Sequence, residues 1–177
     1  MMAGAPRSIL ALGALLAGPG PAAVAQAAPE YQAKIALMDK LTRFVDWPQG
    51  AIQGRAFVLG VLGRTPFGDE LDAYFTARTL KDHPVQVRTL RQASDLAECD
   101  LLFICASERP RLAAILAQVK GRPVLTVADC DGFVRAGVMV AMVRSGDRVG
   151  FEVNLAPVRD AGLRMAPGFL QLARLVP

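Results

Sequence analysis

Residues 99–129 read CDLLFICASERPRLAAILAQVKGRPVLTVAD, and the order of patterns in this stretch decides the fold class. The runs at 101–106 (LLFICA) and 124–128 (VLTVA) are short and almost wholly apolar, as strands covered on both faces are. Between them Leu112, Ile115, Leu116 and Val119 share one face at helical spacing, predicting a helix over 108–120. Ser107 stands where a helix cap would, and Gly121-Arg122-Pro123 ends the helix. Strand, helix, strand in that order is a parallel crossover unit.

The pattern extends in both directions. Residues 57–63 (FVLGVLG) form another unbroken apolar run, and Pro66-Phe67-Gly68-Asp69 turns into a helix reaching about residue 78. After His83-Pro84, Val85 and Val87 alternate with Gln86 and Arg88, as in an edge strand over 85–90. A short helical turn is expected at 94–98, and a loop or short helix carrying Phe133 at 129–137. Runs at 138–143 and 149–155 flank Ser145-Gly146-Asp147, a turn that joins them as an antiparallel hairpin. Tyr31, Ile35, Met38, Leu41 and Val45 predict an amphipathic opening helix over 30–46, stopped by Trp47-Pro48. Phe169, Leu172, Ala173 and Val176 predict a closing helix over 159–176, with Pro167 in an early turn. The whole is expected to be one layered α/β domain. Its central sheet is mixed and largely parallel, with an antiparallel C-terminal hairpin and flanking helices.

The N-terminus is laid out differently. Arg7 precedes the apolar run 9–17, and Gly18-Pro19-Gly20-Pro21 leads into small residues, the layout of a signal peptide over 1–27. Cleavage fits after Ala25 or Ala27, leaving a domain over 28–177. The apolar run is shorter than the roughly 20 residues a membrane span requires, so export to the periplasm is the expectation. The chain has 177 residues, 53% hydrophobic and 20% charged, too apolar for a disordered protein. Its 20 Lys+Arg against 16 Asp+Glu are scattered, with no basic run interleaved with aromatics, so no nucleic-acid partner is expected.

Export would place Cys99, Cys105 and Cys130 in an oxidising compartment, where an odd count leaves a thiol unpaired in the monomer. Cys105 with Cys130 is the better candidate pair, near the ends of neighbouring strands; buried free thiols are the alternative. No CxxC or histidine companion suggests a metal site, and no cofactor motif is present. His83 is the sole histidine and sits before a proline, a poor place for a general base. Open α/β sheets bind ligands beyond the carboxyl ends of their strands, which makes Arg64, Thr65, Ser107 and Asp129 candidate ligand residues. Glu152 and Asn154, two apart on the last strand, share a face and either satisfy backbone or line a pocket. Trp47 fits packing at a helix end.

Several local sequences in this order resemble the YfiR-like periplasmic family. They are Phe44-Val45-Asp46-Trp47-Pro48, Leu59-Gly60-Val61-Leu62-Gly63 with Pro66-Phe67-Gly68, Cys99-Asp100-Leu101-Leu102-Phe103-Ile104, Val124-Leu125-Thr126-Val127-Ala128-Asp129, and Val149-Gly150-Phe151-Glu152-Val153-Asn154-Leu155 with Ala161-Gly162-Leu163. Val138 stands where members often carry a second glycine after Gly137. The resemblance implies a non-enzymatic periplasmic regulator that binds and restrains the periplasmic sensor domain of an inner-membrane signalling enzyme, typically a diguanylate cyclase. It would thereby act in cyclic di-GMP signalling and biofilm formation, and it brings no catalytic residue with it. The alternative is a small-ligand sensing or solute-binding module that feeds another membrane receptor. A small molecule and a second copy of the chain, as a homodimer, are the other candidate partners.

Overall fold

The three unbroken apolar runs become adjacent parallel strands at the centre of an eight-stranded sheet in the computed structural model, which describes residues 21–177 other than 53, 92, 146 and 147. In chain order the first elements are α1 (Pro21–Arg43), β1 (Val45–Asp46), β2 (Phe57–Leu62), α2 (Glu70–Phe75), β3 (Thr79–Leu80), β4 (His83–Leu90) and β5 (Leu101–Ile104). Then come α3 (Leu112–Val119), β6 (Leu125–Ala128), β7 (Val140–Ser145), β8 (Arg148–Val153), α4 (Leu155–Asp160), β9 (Arg164–Met165), α5 (Pro167–Leu170) and β10 (Ala173–Leu175). The sheet runs β10-β8-β7-β6-β5-β2-β4-β3, and β1 pairs separately with β9. It is mixed and largely parallel, with β7 and β8 antiparallel, as expected.

Every residue of β2, β5 and β6 is buried, because different layers cover the two faces. Leu59, Leu101, Phe103, Leu125 and Val127 face Ile35, Met38 and Leu41 of α1. Their neighbours Val58, Leu102, Ile104 and Ala128 face Leu112, Ile115 and Val119 of α3. Each such side chain contributes about 1.5–3 kcal/mol on full burial, so packing rather than helix propensity holds α1 and α3 in place. Gly60 lies in β2 because no side chain fits there: a Cβ would fall 2.5 Å from Cys99 Sγ and 2.7 Å from Leu90 Cδ1.

Three expected elements need adjustment, and a fourth, at the C-terminus, is replaced. The opening helix starts earlier than residue 30, through an alanine-rich stretch, and ends at Arg43; Val45 and Asp46 leave it to pair with Met165 and Arg164. Residues 1–20 of the expected leader lie outside the described residues, and residues 21–27 form the first turns of α1. The helix expected over 108–120 is a 3-10 helix at Ala106–Arg111 followed by α3, since Pro110 lacks the N–H an α-helix would use. The strand at 85–90 is next to the edge: β3 pairs with His83 and Pro84 and takes the terminal place.

The closing helix over 159–176 is the largest departure. Asn154 starts a helix earlier, at Leu155, and Gly162 at φ +70° ends it. Pro167 does open a helix, but only the short α5. Residues 173–175 then extend as a strand parallel to β8, with Val176 N–H donating to Val153 O at 2.8 Å. Phe169 and Val176 are buried as a helical stripe would have them, yet Leu172 is 76% exposed.

Candidate functional site

The loop after β2 closes onto the 3-10 helix after β5. Gly63 is left-handed at φ +100°, and a Cβ there would fall 2.4 Å from Ser107 Oγ and 2.9 Å from Glu108 Oε1. Ser107 is therefore no helix cap: its hydroxyl accepts the Arg64 N–H at 2.9 Å. Thr65 Oγ1 accepts the Phe67 N–H at 3.2 Å. Glu108, which sequence patterns did not mark, is buried beside them and accepts from Arg111 at 2.6 Å. Arg64, Thr65 and Ser107 are thus brought together, with the Arg64 N–H and the Thr65 and Ser107 hydroxyls engaged in holding the loops.

Asp129, beyond β6, meets α1. The Lys34 ammonium donates to Asp129 Oδ2 at 3.0 Å and lies 2.8 Å from Glu30 Oε1. Arg144 reaches the other oxygen of Glu30 at 3.6 Å. These groups and Asp131 line a crevice of about 180 Å³. Burial alone would lower the Lys34 pKa, but hydrogen bonds to Glu30 and Asp129, aided by their charge, outweigh it and hold the pKa above its ordinary value. The same hydrogen bond from Lys34 holds the Glu30 carboxyl below its ordinary range. The result is a fixed ammonium between two carboxylates at the carboxyl end of the sheet.

Glu152 and Asn154 do not join this crevice's lining. Glu152 pairs with Arg174 of β10, tying the terminal strand to β8. Asn154 caps α4: its Oδ1 accepts the Ala156 N–H at 3.0 Å, and its Nδ2 donates to Val134 O at 3.3 Å. Cys99, Cys105 and Cys130 are buried free thiols. The Cys105–Cys130 bridge weighed from the sequence is not made: Cys105 packs in the α1 layer and Cys130 in the α3 layer. No group of three or more His, Cys, Asp or Glu among the described residues could hold a metal ion.

A second polar site occupies the opposite end of the strands. Asp100 accepts both arms of the Arg55 fork, at 2.6 and 2.7 Å, and the Val58 N–H at 2.8 Å. Trp47 packs edge-on to Phe57 and donates its indole N–H to Asp100 O at 3.3 Å. His83 Nδ1 lies 2.8 Å from Arg55 O, so that nitrogen carries the proton in this bond. Trp47, Lys81 and His83 border a cleft of about 330 Å³. The Lys81–Asp46 contact at its rim gives no signal in the sequence, because its two residues come from β1 and from the turn after β3.

A family model for YfiR/HmsC-like proteins matches residues 31–174. Among solved structures, the ABC domain from Streptococcus pneumonia in complex with L-Trp is similar in fold, with a TM-score of 0.54 at 11% identity. The match covers 82% of this chain and 60% of that one, so the chain spans about 60% of its length.

Proposed function

Since the chain belongs to the YfiR/HmsC-like family, a family of periplasmic regulators of cyclic di-GMP signalling, we propose that it binds the periplasmic sensor domain of an inner-membrane diguanylate cyclase and holds that enzyme inactive. The family match from residue 31 to residue 174 carries this reading. Burial pushes the thiols of Cys99, Cys105 and Cys130 up to about 11, 12 and 11, leaving little thiolate at neutral pH. Inhibition needs only a difference in affinity for two states of the target, about 3 kcal/mol for a hundredfold bias. Export fits the same reading, with the leader removed after Ala25 or Ala27. Deletion of the gene should raise cyclic di-GMP and biofilm, and crosslinking in cells should recover the cyclase. Unchanged cyclic di-GMP together with no crosslinked membrane protein would refute the proposal.

The Lys34–Asp129 crevice supports a second reading, a small-ligand sensing or solute-binding module. A ligand at a hundred times its Kd stabilises by about 2.7 kcal/mol. Thermal shift against zwitterions, nucleotides and anions would show it as a raised midpoint that Lys34→Met abolishes. No shift across the panel would exclude this reading.

A further inference from the structure

The central sheet ends in two different edges. At one end β3 is two residues long, and α1 packs against it. At the other end β10 pairs with β8 along Ala173–Leu175 and has no strand on its outer side among the described residues. Val176 N–H donates to Val153 O, so the N–H and C=O of Arg174, two residues earlier, also turn toward β8, and those of Ala173 and Leu175 turn outward. Exposed apolar surface gathers at the same place. Three large apolar side chains stand exposed among the described residues, and two of them are here: Leu172 at 76%, just before β10, and Leu175 at 53%, within it. An edge strand with open backbone groups and apolar side chains is a template for another strand unless charge, proline or a bulge blunts it. The charge here, Arg174, is held by the buried carboxylate of Glu152 on the neighbouring strand.

We propose that β10 pairs antiparallel with β10 of a second copy of the chain, about a twofold axis at Arg174, which joins the two sheets into one. Ala173 N–H then donates to Leu175 O of the second copy and Leu175 N–H to its Ala173 O, and the twofold repeats both, so every outward backbone group of β10 is paired. Neighbouring registers do not achieve this. With the axis at Leu175, Ala173 would face Pro177, which has no N–H; with the axis at Ala173, Leu175 would face Gln171, the cap of α5. Side-chain sizes fit the same register: Leu175 of each copy lies opposite the small Ala173 of the other, beside Phe151, the β8 neighbour of Ala173. The charges fit as well. Two arginines meet at the axis, where like charges would repel, but each is matched by its own Glu152, and neither carboxylate gives up its partner. A contact of this length buries less surface than a permanent dimer does, so the pair is reversible and dissociates on dilution. This interface goes beyond the regulator reading and stands whichever membrane protein the chain binds.

Sedimentation velocity of the purified protein, run from micromolar to millimolar concentration, should show a monomer–dimer equilibrium. Leu172→Lys/Leu175→Lys, which alters exposed positions only, should weaken it about tenfold or more, with an unchanged thermal midpoint showing that the variant is folded. Cysteine placement reads the register. Residues facing each other at the axis form a non-hydrogen-bonded pair with Cα atoms about 4.5 Å apart, within disulfide reach, so Arg174→Cys should give a disulfide-linked dimer under copper–phenanthroline oxidation. Leu175→Cys would stand diagonal to its counterpart at about 7–8 Å and should not crosslink. The native thiols are buried and give little background. A protein that is monomeric throughout the range would overturn the proposal, as would a dimer that the lysine variant leaves unchanged. Crosslinking through position 175 as efficient as through 174 would overturn the antiparallel register, and the proposal with it. Amide exchange at Ala173 and Leu175 that slows only when a membrane protein is bound would assign the edge to a strand of that protein instead.

Discussion

Cys99, Cys105 and Cys130 lie where burial disfavours the thiolate, and their raised pKa values have a consequence for stability. In the unfolded chain these thiols release protons from about pH 8.5, while in the fold they hold them to about 11, 12 and 11. Between those limits the unfolded state binds fewer protons, so stability falls as pH rises through that window. Urea midpoints measured from pH 7 to 10.5 should decline above pH 9, and less steeply in Cys105→Ala, which lacks the most shifted thiol. Thiol reagents at pH 8 should label the protein only as fast as it opens. The Arg55–Asp100 pair gives an ordered prediction. Arg55→Ala strands a carboxylate that is 2% exposed and should cost about 3 kcal/mol. Asp100→Ala leaves an arginine that can reach water, together with an unsatisfied Val58 N–H, and should cost about 2 kcal/mol. Equilibrium urea unfolding checks the order as well as the size.

Between β3 and β4 the chain turns in two residues, Lys81 and Asp82, both left-handed at φ +50° and +65°. Such a turn suits Asn-Gly, and a side chain held there costs about 1–2 kcal/mol. Asp82→Gly removes one such cost but frees the unfolded chain by about 0.4–1 kcal/mol, so it should stabilise by about 0.5–1 kcal/mol. A rise of the thermal midpoint checks it; a fall would mean that the aspartate side chain supports the turn. This hairpin also shows what sequence patterns can convey about single elements. The strands at 57–63, 101–106 and 124–128 were legible because residues covered on both faces leave no room for polar ones. The C-terminal stretch was not, because α4, β9, α5 and β10 are each too short for periodicity to separate from chance. Phe169 and Val176 are buried in different elements, and their spacing imitates a helix by coincidence. At the candidate site, Asp129 was legible from its place after a strand. Its partner Lys34 is 95 residues away on the face of a helix, where a lysine ordinarily signals solvent.

Across the molecule the sheet divides into a centre sealed from both sides and borders held by a few bonds. β2, β5 and β6 have α1 on one face and α3 on the other, and their amides can exchange with solvent only when those layers come off. β10 pairs along three residues and β3 along two, and β1 with β9 forms a ladder of two pairs. Opening any of these exposes little apolar surface, so the free energy of local opening is small there and approaches the global value only in the centre. Hydrogen exchange should therefore find the slowest amides within 57–62, 101–104 and 125–128, and fast exchange in β3, β9 and β10. The two classes should also respond differently to mutation. Arg55→Ala, which weakens the whole fold, should speed exchange in the central strands by the factor its urea stability implies, about 150-fold for 3 kcal/mol at 1.4 kcal/mol per decade. It should leave β10 unchanged, because β10 opens without disturbing Asp100. Acceleration of β10 in step with the centre would show instead that the terminal strand is bound into one cooperative unit through its Arg174–Glu152 pair.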